Sequence, residues 1–187
     1  MSEQVEVGHC HRCDHAHVSL GVGSYAAASP TLEPRQLCGE GIRHICHGAP
    51  DGTPQNVNPD DIAYLAASMR NDAHQNVNGN SFFTMPPNIK FQCEEWAIAH
   101  EGTVLVLVKH TSARLNSTVL SEDIANTLDR GENATDEQVK KSILGCGKSG
   151  GQVGVLYDKD NKAYNTDEFK NSKATPSGLV IKVVHSV

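Results

Sequence analysis

Four cysteines, Cys38, Cys46, Cys93 and Cys146, are spread through residues 36–187, and they constrain the fold more than any other feature of the chain. An even set of four predicts two disulfides, for which three connectivities are open. A disulfide removes freedom from the unfolded chain, more so the longer the loop it closes. Such bridges persist in oxidising compartments rather than in the cytosol. Two Asn-x-Ser/Thr sequons, at Asn116 and Asn133, agree with that compartment.

Residues 1–35 are a different kind of sequence and read as a leader or pro-like segment, disordered in expectation. They end in small residues, Ala26-Ala27-Ala28, followed by Leu32-Glu33-Pro34-Arg35. The first run has the small-residue character of a signal cleavage region, and Arg35 marks a candidate processing point. The hydrophobic stretch before it is interrupted, since Ser and Gly separate Val18, Leu20 and Val22. The expectation is a secretory precursor with an incomplete signal, releasing one extracellular globular domain, residues 36–187. The leader also carries a dense donor set: His9, Cys10, His11, Cys13, His15 and His17. Imidazoles and thiols at this spacing suit zinc or copper. A structural zinc site needs a second donor pair, for which Cys38, His44, Cys46 and His47 are nearest.

The body reads as α+β. Asn58-Pro59-Asp60-Asp61 supplies a cap, a proline at the first helical position and acids at the positive dipole end. Ile62, Leu65, Ala66 and Met69 then recur at helical spacing, predicting a helix over 59–72. A second helix starts near Ser121-Glu122-Asp123, buries Ile124, Ala125 and Leu128, and stops at Gly131. Thr135 and Gln138 form a capping-box pattern that opens a short helical segment through Val139 and Leu144. Ile89, Phe91 and Cys93 alternate, as do Trp96 and Ile98, and Thr103–His110 is rich in β-branched residues. Glu101-Gly102 is a natural turn between these runs, so they predict an antiparallel hairpin. Gln152–Tyr157 and Gly178–His185 supply two more strands. The polar stretch Asp158–Ser177 is longer than a tight hairpin needs, and an exposed, mobile loop is expected there. Together these elements predict an antiparallel sheet with two to three helices packed on one face, stapled by disulfides. With 38% hydrophobic and 5% aromatic residues, the core should be modest.

Composition excludes some functions. A formal charge of −6 argues against non-specific nucleic-acid binding, which needs a basic footprint. The sequence has no 18-residue apolar run, so no membrane span is predicted. Gly145-Cys146-Gly147-Lys148-Ser149-Gly150 imitates the end of a phosphate-binding loop. The pattern requires glycine five residues before Gly147, where Ser142 stands, and it requires a strand before and a helix after. The order here is reversed, so the segment reads as a glycine-rich turn that lets a disulfide approach the sheet. Trp96 reads as a strand residue packing against a helix.

The body resembles the fungal killer-toxin family typified by killer protein four, which has homologues among plant-pathogen effectors. The resemblance runs in order through Cys38-Gly39-Glu40-Gly41 to Cys46, the helix at Asp61–Arg70 and Ile89-Lys90-Phe91-Gln92-Cys93. It continues through Ser121–Arg130, the late Gly145-Cys146 element and the closing strand Ser177–Val183. Ser149 departs from the family pattern, which has a second cysteine there. The resemblance implies a helix-on-sheet sandwich, a Cys38–Cys146 bridge and hence Cys46–Cys93. It also implies growth inhibition of fungi. Channel block, known for the founding toxin, goes with a basic surface and is not carried over to this acidic chain.

The expected function is therefore that of a secreted, non-enzymatic toxin-like protein or effector, acting as a monomer on a host-plant or competitor-fungus surface target. Two alternatives from other classes stand beside it. One is a small secreted hydrolase or nuclease using His44, His47, His100 or His110 with Glu40 or Glu94 in acid–base roles. The other is metal binding through the His/Cys leader.

Overall fold

The computed structural model describes residues 38–75, 81–87 and 93–187. The leader with its donor set His9, Cys10, His11, Cys13, His15 and His17, and the candidate processing point Arg35, lie outside the described residues.

The helical signals act as expected. Helix α1 spans Pro59–His74, where the Asn58 side chain accepts from the Asp60 N–H and Pro59 occupies the first turn. Ile62, Leu65 and Ala66 are buried along it. Helix α2 spans Ser121–Asp129 and buries Ile124, Ala125 and Leu128. It ends at Asp129, two residues before the expected glycine, because Arg130 itself takes a left-handed conformation (φ 78°). Helix α3, Asp136–Val139, has the full capping box between Thr135 and Gln138. A 3-10 segment, Leu144–Ser149, follows it.

Strands β1 (Ile45–Cys46), β6 (Gly151–Gly154), β7 (Leu179–His185), β4 (Val104–His110) and β3 (Glu95–Glu101) form one antiparallel sheet in that spatial order. β3 and β4 are the predicted hairpin, and β4 runs beside β7 from Val104 opposite His185 to His110 opposite Leu179. Alternation decides the two faces. Val104, Val106, Val108 and His110 are buried, while Leu105, Leu107 and Lys109 between them are only half-buried. Val104, Val106 and Val108 join Ile181, Val183, Ile62, Leu65, Ile124, Leu128 and Ile143 in one core under α1 and α2. The architecture is thus α+β, with helices on one face of an antiparallel sheet.

A second, two-stranded ribbon pairs β2 (Phe82–Met85) with β5 (Ser117–Leu120). Neither of these strands is expected from the residue pattern. The alternating run at Ile89–Phe91 lies outside the described residues, and Cys93 sits in a turn with φ 67° rather than in a strand. β6 is shorter than expected because the chain leaves the sheet when the Leu156 N–H donates to Thr127 Oγ1 (2.9 Å) on α2.

The stretch Asp158–Ser177, expected to be an exposed, mobile loop, is folded instead. It contains a 3-10 turn at Lys162–Asn165 and helix α4, Asp167–Asn171, capped by Thr166. Buried Tyr164 anchors it: its hydroxyl donates to Asp123 Oδ2 and accepts from the Leu120 N–H at 2.8 Å. Phe82 and Phe169 pack their rings around it. Tyr164→Phe should leave a buried carboxyl and a backbone N–H without this partner. A loss of about 2–3 kcal/mol is expected in urea unfolding; a change under 0.5 kcal/mol would contradict the anchoring role.

All four body cysteines are in disulfides, but the pairing implied by the resemblance is corrected. The bridges are Cys38–Cys93 and Cys46–Cys146. Sheet order explains the exchange. β1 pairs with β6, Cys46 lies opposite Gly151, and Gly151 follows Cys146 by five residues around the 3-10 turn. Cys38 instead meets Cys93, just before β3 at the opposite sheet edge. The glycine-rich turn serves the bridge as expected: a Cβ on Gly151 would stand 2.9 Å from Cys146 Sγ and 2.8 Å from the Ile45 carbonyl oxygen. Gly151→Val should therefore destabilise by about 1–3 kcal/mol through overpacking, measurable as a lower thermal midpoint.

Candidate functional site

The segment Cys38–Cys46 forms a strap across the sheet face that the helices leave uncovered. It is fixed to Cys93 beside β3, then to β4 and β7 through Glu40, then to β6 where the Gly154 N–H donates to the Ile42 carbonyl (2.9 Å). It closes at the Cys46–Cys146 bridge. Both ends are covalent and the middle is ionic.

At that middle, Glu40 Oε1 accepts from Lys109 Nζ (3.1 Å) and Lys182 Nζ (2.8 Å). Lys182 also donates to Glu95 Oε1 at 2.6 Å. The two ammonium groups belong to neighbouring strands, so this square of charges follows from strand register. Burial disfavours the Glu40 carboxylate, but the hydrogen bonds and charges of Lys182 and Lys109 outweigh it and hold the carboxyl below its ordinary range. Burial likewise disfavours the Lys182 ammonium, and bonding to Glu40 and Glu95 overcomes it.

His47, at the end of the strap, has its Nδ1 buried without a hydrogen-bond partner. Burial, then the Lys182 charge, hold its pKa below the ordinary 6.5, against the raising influence of Glu40 and Glu95. His44 lies against the second bridge, with Nε2 3.2 Å from Cys146 Sγ and 3.9 Å from Cys46 Sγ. A cleft of about 460 Å³ adjoins this end, lined by Ile45, Cys46, His47 and the turn through Thr53 and Gln55.

The four histidines considered for acid–base chemistry do not share one environment. His110 is a core residue, 1% exposed, with Nε2 3.0 Å from the Met85 carbonyl oxygen. Burial lowers its pKa, opposed by the Met85 contact. The strand alternation that buries Val104, Val106 and Val108 also buries His110, so this placement was readable from sequence. His100 lies exposed on β3, and Glu94, also exposed, just precedes that strand. Glu40 is engaged by two lysines. Trp96 packs partly buried against the core, as expected of a strand residue.

A pH response follows. Groups held below their ordinary pKa take up protons more readily in the unfolded chain, so acid favours unfolding. His47 and His110 stabilise fully above their ordinary 6.5 and lose that contribution as pH falls below it. Glu40 adds a second loss below its ordinary 4.5. The thermal midpoint should therefore fall as pH drops from about 7 through the histidine range. At lower pH the Glu40 loss is opposed by Asp123, whose carboxyl is held by burial above its ordinary 3.8. A midpoint independent of pH over the histidine range would rule this out.

The two sequons differ in setting. Asn133 is exposed, whereas the Asn116 amide donates to the Ser172 carbonyl (3.3 Å) and Thr118 of its sequon is buried in β5. Among the described residues no helix is long and apolar enough to cross a membrane. No protein-family model, curated protein or solved structure matches the chain.

Proposed function

We propose that residues 36–187 act outside the cell as a disulfide-stapled, non-enzymatic toxin-like protein or effector that binds a host-plant or competitor-fungus surface target. The observation that carries this reading is the strap. Its two covalent ends suit a chain that folds where disulfides last and must keep a fixed surface without cytosolic maintenance. The helix-on-sheet architecture agrees with the killer-toxin resemblance, although the bridges connect differently. The hydrolase alternative is weakened because His110 is sealed in the core and Glu40 is held by Lys109 and Lys182. Exposed Asn133 is the better-placed sequon for glycosylation, and the domain acts as a monomer.

The test is to secrete the full chain from a eukaryotic host and measure its binding to fungal cell-wall and plant-membrane preparations, with growth inhibition in parallel. Saturable binding that disappears on reduction is expected. Absence of binding to either preparation, with RNA or glycan hydrolysis abolished by His44→Ala or His47→Ala, would replace this reading with the hydrolase one.

A further inference from the structure

We propose that reduction of the Cys46–Cys146 bridge converts this end of the strap into a metal site, in which His44, Cys46 and Cys146 bind one zinc-like divalent cation. The three donor atoms lie within 4.8 Å of one another. An imidazole nitrogen and two sulfurs are the donors zinc prefers, and zinc with three protein ligands keeps its fourth position for water. All three residues are half-buried, so solvent reaches that position.

The distances fit without moving the histidine far. Around tetrahedral zinc with ordinary bond lengths, nitrogen and sulfur ligands stand about 3.6 Å apart. His44 Nε2 is already 3.2 and 3.9 Å from the two sulfurs. The sulfurs must separate from bonding distance to about 3.8 Å. Their Cα atoms, 5.3 Å apart, allow this by side-chain rotation.

The backbone around the site is held independently of the bridge. The His47 N–H donates to the Gly150 carbonyl, the Gln55 N–H to Ser149 and the Val57 N–H to Lys148, each at 3.1 Å. The Cys146 N–H donates to the Ile143 carbonyl at 2.9 Å. Breaking the sulfur–sulfur bond therefore leaves both thiols facing His44 rather than releasing them.

The exchange balances. A dithiol reductant transfers two electrons and two protons to the bridge, becoming a disulfide itself and leaving Cys46 and Cys146 as thiols. The cation then displaces both thiol protons to solvent and takes the lone pair of neutral His44. A disulfide oxidant reverses the sequence by thiol–disulfide exchange: it takes two electrons from the thiolates and two protons from solvent, leaves as a dithiol, and the re-formed Cys46–Cys146 bridge releases the metal. The site does not depend on what the oxidised protein binds.

The test uses the full chain carrying Cys10→Ser and Cys13→Ser, so that leader thiols do not contribute. It is reduced with a phosphine under anaerobic conditions and titrated with Co²⁺, then back-titrated with Zn²⁺. One equivalent of tetrahedral cobalt with a thiolate charge-transfer band is expected, displaced by zinc and absent from the oxidised protein. His44→Ala, whose oxidised form keeps its bridge and its circular dichroism spectrum, should weaken binding by at least about 100-fold. Cys46→Ser with Cys146→Ser should abolish the band. If the reduced chain loses its fold, recovery of the spectrum on adding zinc supports the site and failure to recover overturns it. A cobalt band indifferent to His44→Ala, or surviving the double serine change, also overturns it.

Discussion

Replacing Cys46 and Cys146 together by serine is expected to lower the stability of the oxidised protein by about 4–5 kcal/mol, following the loop-entropy relation for a loop of this length. The bridge spans 100 residues, against 55 for Cys38–Cys93. The shorter loop should cost slightly less, about 4 kcal/mol. Urea unfolding of the purified variants measures both. The same experiment tests the pairing. Cys46→Ser, Cys146→Ser and the double variant should be destabilised to a similar extent, since partners in one bridge are not additive. Cys38→Ser combined with Cys146→Ser should instead lose both contributions. Additive losses for Cys46 and Cys146, or a non-reduced peptide map joining Cys38 to Cys146, would refute the connectivity.

Asp129→Ala is the second large effect, expected at about 3–5 kcal/mol because it removes the bidentate carboxylate from a buried guanidinium. Arg70 on α1 donates to both Asp129 oxygens on α2, at 2.8 and 2.6 Å, and its side chain is 6% exposed. Asp129 Oδ1 also accepts from the Gly131 N–H, closing the end of α2. The loss therefore combines a buried charge left to the Asn126 amide oxygen (3.1 Å) and the exposed Glu132 carboxylate (3.9 Å) with a loosened helix end. Arg70→Met with Asp129→Leu should recover most of it, because the paired charges themselves gain little over apolar packing. The exposed Lys140–Glu137 pair supplies the contrast. Its removal should stay within about 0.5 kcal/mol. Equal effects from the two pairs, read by chemical denaturation, would contradict the role given to burial.

Several features were legible because they rest on local chemistry. The cap and proline before α1, the capping box of α3 and the alternation of β4 each follow from residues within one or two turns of the element they define. What stayed hidden depends on partners distant in sequence. β2 and β5 are each four residues long, too short to show a period, and all of β5 is buried, so it shows no polar face. The fold of Asp158–Ser177 hinges on Tyr164, whose partners Asp123 and Leu120 lie some 40 residues earlier. Disulfide partners follow from sheet order, which cysteine spacing does not encode. The strap was illegible for the same reason: nothing in Cys38-Gly39-Glu40 announces two lysines 69 and 142 residues away.

The place of β7 bears on how such a chain is made. It lies between β6 and β4, so the sheet before its arrival is two separate halves, β1–β6 and β4–β3. The strap spans both halves, and Lys182, one of its two central anchors, is itself on β7. A ribosome or translocon that has delivered everything up to Gly178 thus holds a chain with no continuous sheet and only half of the Glu40 cradle. Completion of the sheet must wait for Leu179–His185, and correct cysteine pairing should follow the delivery of that strand rather than precede it.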